Sequence, residues 1–112
     1  MGYYFIGIGG AGMSVVAELL LAEGQNISGS DAKASTTTDY LAGLGINVFI
    51  GQDASNVPED ATVVTSSAIR ESNPELAIAR MRGQSIMHRS EGSIFAKEDV
   101  ESTFALSYKE SS

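Results

Sequence analysis

No cysteine occurs among the 112 residues, so neither a disulfide nor a thiolate metal site can form, although that absence does little to tell one compartment from another. Cations are scarce too. Seven Lys and Arg stand against 14 Asp and Glu, a formal net charge of −7, and none of the seven precedes Lys33. Phosphate-backbone binding needs clustered Lys and Arg, so nucleic acid is not expected as a partner. No apolar run approaches the roughly 20 residues of a membrane helix. No basic residue precedes the N-terminal apolar segment, so no secretory signal is expected and the default setting is cytoplasmic. A lone histidine, His88, cannot assemble a metal cluster; it reads as a structural or surface residue. Internal repeats and low-complexity segments are also missing. What remains is a 43% hydrophobic chain long enough for one small domain with one core.

The stretch from Tyr3 to Ser14 is the most informative segment present. It predicts a short apolar strand, a glycine turn and then a helix. Gly7, Gly9 and Gly12 fit the G-x-G-x-x-G spacing, in which one glycine permits a tight turn, one lets a ligand approach the backbone and one lets helix pack on strand. The helix is expected from Ala11 to Glu23, with Met13, Val16, Ala17, Leu20 and Leu21 on one face and Gly24 as its stop. With no cation before Lys33, a phosphate at this loop must be held chiefly by backbone N–H groups and the helix N-terminus. That dipole term is worth about 0.3 to 2 kcal/mol, too little alone, so other loops must contribute.

Strand and helix signals alternate along most of the chain, which implies an α/β, Rossmann-like three-layer domain with a five-stranded parallel sheet in the order 3-2-1-4-5. Strands are expected near Tyr3 to Ile8, Gln25 to Ser30, Asn47 to Ile50, Thr62 to Ser66 and Ser85 to His88. A second helix should run from Thr36 to before Gly45, and a third should start with Asn73 as cap and Pro74 at its first position and stop at Gly83. Gly51 to Asp60 reads as a loop with one irregular turn in place of a helix. Beyond Ser90 the pattern weakens: Ile94, Phe95 and Ala96 suggest a short helix, Thr103 to Leu106 a last strand, and Tyr108 to Ser112 a loose polar tail.

Ligands of open parallel sheets collect beyond the C-terminal strand ends. Here those ends carry Gly9 to Gly12, Ser30-Asp31, Gly51-Gln52 and Ser66-Ser67, which should line one crevice. Asp31 follows Gly12 by 19 residues, a spacing that suits the carboxylate on a ribose hydroxyl in dinucleotide-binding folds. The residues alone therefore leave open an NAD(P)-binding domain of an oxidoreductase, a stand-alone nucleotide-sensing module, or a mere strand-to-helix turn. Asp31 reads equally as a helix cap, the serine pair as a polar strand end, and Arg70 as a solvated loop residue or a group near a phosphate or carboxylate.

Three segments in order, F-I-G-I-G-G-A-G-M-S at Phe5 to Ser14, S-G-S-D at Ser28 to Asp31, and S-S-A-I followed by N-P-E-L between Ser66 and Leu76, resemble the N-terminal domain of the UDP-N-acetylmuramate–L-alanine ligases of the Mur ligase family. The resemblance covers about residues 3 to 91. It implies that residues 1–91 bind UDP-N-acetylmuramate, an intermediate of peptidoglycan synthesis, with Gly9, Gly10, Ala11, Gly12, Met13 and Ser14 facing the diphosphate. Ser30, Asp31, Asn56, Ser66 and Ser67 would then surround nucleotide and sugar. It further implies that the full-length enzyme uses ATP and Mg2+ on a central domain, that a C-terminal domain helps present alanine, and that residues 92–112 lead toward the ATP-binding part.

Two departures from the family pattern stand out. Relatives commonly carry histidine in a G-H-x-A-x-N-like stretch where this chain reads Gly51-Gln52-Asp53-Ala54-Ser55-Asn56, and glutamine can hydrogen-bond but cannot become cationic. No G-x-x-x-x-G-K-[ST] segment follows Glu91, so no site for a γ-phosphate and Mg2+ is identifiable. These 112 residues alone are thus expected to bind substrate without cofactor or metal and without ligating.

Overall fold

The computed structural model describes residues 2–89 and 96–97. Five strands are parallel: β1 (Gly2–Ile6), β2 (Asn26–Asp31), β3 (Asn47–Ile50), β4 (Thr62–Ser66) and β5 (Ile86–Arg89). A two-residue strand, β6 (Ala96–Lys97), adds antiparallel to β5 and completes the order β3-β2-β1-β4-β5-β6. The expected order thus holds for the parallel strands. Ala96 lies on an edge strand and not on the helix expected there; Ile94, Phe95, Thr103 to Leu106 and the tail from Tyr108 lie outside the described residues.

Three helices connect the strands: α1 (Met13–Ala22), α2 (Thr36–Gly43) and α3 (Pro74–Arg82), with a single 3-10 turn at Ala54–Asn56 between β3 and β4. Among the described residues, no helix is long and apolar enough to cross a membrane. Each helix begins differently. Ser35 and Thr38 form a reciprocal capping box on α2, and the Asn73 side chain accepts from the Glu75 and Leu76 N–H groups at the start of α3, where Pro74 needs no partner. At α1 the cap position is Gly12, and no side chain caps it.

Side-chain alternation along β1 divides the core into two layers. Phe5 joins Met13, Val16, Ala17 and Leu20 of α1, Leu41 of α2, Val64 and Met87 on one face. Tyr4 and Ile6 join Val57, Val63, Ile86, and Leu76 and Ala79 of α3 on the other. Burial on both faces is what a parallel sheet requires. Leu21, expected in the apolar stripe of α1, packs at its margin and stays partly exposed.

Two expected boundaries moved inward. β1 stops at Ile6 because Gly7 turns to φ +78°, and α1 starts at Met13 because Gly12 stands at φ +81°, outside the helix. The loop between them therefore holds six residues, Gly7 to Gly12.

Candidate functional site

The backbone donors of the glycine loop can be accounted for one by one. The Gly7 and Ile8 N–H groups both donate to the Ser30 carbonyl at 2.8 Å, that of Gly10 to the Gly7 carbonyl at 3.0 Å, and those of Met13 and Ser14 to the Gly10 carbonyl at 3.1 and 3.3 Å. The Gly9 N–H donates to Asp31 Oδ2 at 2.9 Å. Among the described residues, the N–H groups of Ala11 and Gly12 are left with no acceptor. Both sit at the uncapped, electropositive end of α1, where an anion is the natural partner.

A cleft of about 580 Å³ opens in front of them, lined among others by Gly10, Ala11, Gly12, Ser66, Ser67 and Arg89. Arg89 pairs with Ser66 across the β4–β5 register, and Met87, two residues earlier, faces α1 in the core. The two-residue period therefore turns Arg89 toward the same face. Its guanidinium lies so close to the loop that a Cβ built on Gly12 would stand 2.9 Å from Cζ. The main-chain donors expected to hold a phosphate here chiefly by themselves have a cation beside them. An arginine from the last parallel strand, 77 positions after Gly12 (89 − 12), closes on the same spot.

Asp31 also lines this cleft, and one of its carboxylate oxygens pins the Gly9 N–H while the other accepts weakly from Lys33 N–H at 3.4 Å. Its neighbour Ser30 goes elsewhere. Adjacent strand residues point to opposite faces, and Ser30 turns to the α3 side, fully buried, where its hydroxyl donates to Glu75 Oε1 at 2.5 Å. Glu75, also fully buried, accepts in addition from the Tyr4 hydroxyl at 2.8 Å and from the Asp53 N–H at 3.1 Å. Three donors on one buried carboxylate offset its desolvation. Burial pushes the Tyr4 hydroxyl well above the usual tyrosine range, and the Glu75 carboxylate beside it adds to the rise. Asn56 occupies the 3-10 turn and does not line the cleft.

A second hollow of about 490 Å³ adjoins the first and shares Gly7, Asp31, Ala68 and Ile69 with it. Gln52, Arg70 and Asn73 form its far wall. Gln52 Oε1 accepts from Asn73 Nδ2 at 2.8 Å, so the residue standing in place of the family histidine is tied to the start of α3.

The structure therefore brings together Gly10, Ala11, Gly12, Met13, Asp31, Ser66 and Ser67 around one cleft. Gly9 stands behind it, bonded to Asp31, and Ser14 lies in the first turn of α1 outside the lining residues. Ser30 and Asn56 are not brought there. Sequence reasoning passed over Arg89, and its signal was available: a lone arginine at the C-terminal end of the last parallel strand, two residues after a core-facing Met87.

The comparisons with known proteins agree with this fold. A crystal structure of the UDP-N-acetylmuramate-alanine ligase of Thermotoga maritima superposes with a TM-score of 0.74 at 38% identity, over 80% of this chain and 21% of that one. Proteins named UDP-N-acetylmuramate–L-alanine ligase from Bifidobacterium longum subsp. infantis and Cereibacter sphaeroides are 56% and 52% identical over 88 residues, which is 79% of this chain. The chain spans only 17% and 19% of the length of these two relatives. The family model described as "Mur ligase family, catalytic domain" matches residues 2–93, and on that match the chain belongs to the Mur ligase family.

Proposed function

We propose that this chain is the nucleotide-sugar-binding domain of a cytoplasmic UDP-N-acetylmuramate–L-alanine ligase, and that it holds the diphosphate of UDP-N-acetylmuramate in the cleft before α1. One observation carries the reading: the two acceptor-less N–H groups of Ala11 and Gly12, the Arg89 guanidinium and the Ser66-Ser67 pair border one cavity. The names and identities of the relatives support it.

Magnitudes rank the contributors. Opposite unit charges about 4 Å apart attract by about 4 kcal/mol at the effective dielectric of a protein surface, before desolvation is subtracted. The helix terminus adds about 0.3 to 2 kcal/mol. Arg89 is therefore the strongest single group on the diphosphate, and the two amides give it direction.

In this reading ATP and Mg2+ act in other parts of the full-length enzyme, with the central and C-terminal domains as partners in the same protein. The 112 residues contain no phosphate-loop lysine motif. Among the described residues, no group of three or more His, Cys, Asp or Glu is placed to hold a metal ion. The side chains present do not fit an ATP-bound Mg2+, and no step through it is assigned to them. What this chain contributes is binding and orientation of the acceptor substrate.

Calorimetric titration and thermal melting test the reading. UDP-N-acetylmuramate should raise the melting temperature of the chain, because a ligand at a hundred times its Kd stabilises by about 2.7 kcal/mol. Arg89→Gln should weaken binding at least tenfold. Melting unchanged at millimolar UDP-N-acetylmuramate, or a response to NADH in its stead, overturns the reading.

A further inference from the structure

We infer that Asn73 is a positioning residue that locks the Gln52 side chain with its NH2 group available to the bound nucleotide sugar, making Gln52 a specificity-determining donor. The inference rests on the proposed ligand and adds to it a residue pair outside the glycine loop.

Atoms that can only donate fix the orientation of both side-chain amides. Backbone N–H groups cannot accept, so the Asn73 oxygen that receives those of Glu75 and Leu76, at 2.8 and 3.3 Å, must be Oδ1. That leaves Nδ2, a donor, facing Gln52. Gln52 must then turn its own oxygen to Asn73, as the 2.8 Å bond records. The orientation of both amides is thus set by the helix end and not by local preference. Gln52 Nε2 has no partner among the described residues, and Gln52 lines the hollow that runs on from the diphosphate cleft. The next residue is clamped as well, since the Asp53 N–H donates to the buried Glu75 carboxylate at 3.1 Å. Two consecutive residues of the loop after β3 are therefore held by two residues of the α3 N-terminus.

A donor held in this way selects for an oxygen acceptor, either a carbonyl or phosphoryl oxygen of the uridine diphosphate or an oxygen of the sugar. It selects against a donor at the same place, because an NH2 facing an NH2 leaves both unpaired.

Two variants separate this role from a structural one. Asn73→Asp keeps the cap, since Asp caps as well as Asn, but has no N–H to give, so Gln52 must flip and show its oxygen. Gln52→Glu keeps the acceptor for Asn73 and leaves the cap untouched, but removes the donor. Affinity for UDP-N-acetylmuramate, measured by calorimetry, should fall about tenfold or more in each. Unliganded melting should stay within about 2 °C of the parent chain. In the parent, the Gln52 side-chain NH2 resonances should shift on saturation with UDP-N-acetylmuramate, and in Asn73→Asp that shift should vanish. If Asn73→Asp fails to fold, Gln52→Glu alone decides. Repeating the titrations with UDP locates the acceptor: an equal loss assigns it to uridine diphosphate, a loss confined to UDP-N-acetylmuramate to the sugar. Parent binding with both variants unimpaired and the Gln52 amide unshifted overturns this inference alone; no binding of either nucleotide by the parent overturns the proposed function.

Discussion

At Gly12 two demands fall on one α-carbon, a φ of +81° and the close approach of the Arg89 guanidinium. The side chain of Arg89 can swing aside, so backbone strain dominates, and Gly12→Ala should cost about 1 to 2 kcal/mol. Gly29 is the harder case. A Cβ there would sit 2.5 Å from the Phe5 carbonyl oxygen and 3.0 Å from Ile8 Cβ, and a central strand has no flexible end to move. Gly29→Ala should therefore lose about 3 kcal/mol or more in urea denaturation, the larger of the two effects; equal losses would contradict the packing argument. Tyr4→Phe removes one of the three donors on Glu75 and should cost about 1 to 3 kcal/mol. The sign of its pH dependence follows from burial. The folded Tyr4 hydroxyl titrates above the 10.0 of a free tyrosine, so its contribution is complete below about pH 10 and is lost as pH climbs toward the folded value. Stability of the parent should fall more steeply above pH 10 than that of Tyr4→Phe, and parallel alkaline limbs would refute the assignment.

The three helices show why caps are legible and sites are less so. Asn73-Pro74 at the head of α3 and Gly83 after its end stand where they were expected, because cap chemistry is local and depends on residues within one turn. At α2 the reciprocal bonds of Ser35 and Thr38 satisfy the helix end, so Ser35→Ala should cost about 1 kcal/mol and lower the melting temperature by about 4 to 8 °C. α1 differs in kind. Its end is left without a side-chain cap, and Gly10 to Gly12, part of which read as helix, form the turn that exposes the Ala11 and Gly12 amides. Such an end leaves room for an anion where a side-chain cap would otherwise sit. The shortening of β1 at Gly7 has the same origin, since the left-handed turn that aims the loop also ends the strand.

Across the whole molecule, the site sits where the helices begin and the parallel strands end, with α1 against the β4 and β5 termini. Substrate binding and bond formation are expected to be separable on this scale. Incubated with UDP-N-acetylmuramate, L-alanine, ATP and Mg2+, the chain should release no phosphate in a coupled assay, because it carries no lysine motif for the γ-phosphate. Steady phosphate release by the purified chain would show that a nucleotide-cleaving site exists within these residues.

The amino-acid sequence by itself determined what short-range physics controls. Alternating periodicities set five parallel strands in the order found, turn and cap residues set the helix limits to within about two positions, and three motifs pointed to the family. Only the tertiary structure decided which polar groups meet. Ser30 and Asp31 are neighbours in the chain, yet strand alternation sends one into a buried cluster with Tyr4 and Glu75, 26 and 45 positions away along the sequence (30 − 4 and 75 − 30), and the other to the glycine loop. Arg89 reaches Gly12 because register places it beside Ser66 on the face that α1 covers. Such contacts depend on strand pairing and facing direction at once, and a shift of one residue would turn each of these side chains to the opposite side of the sheet.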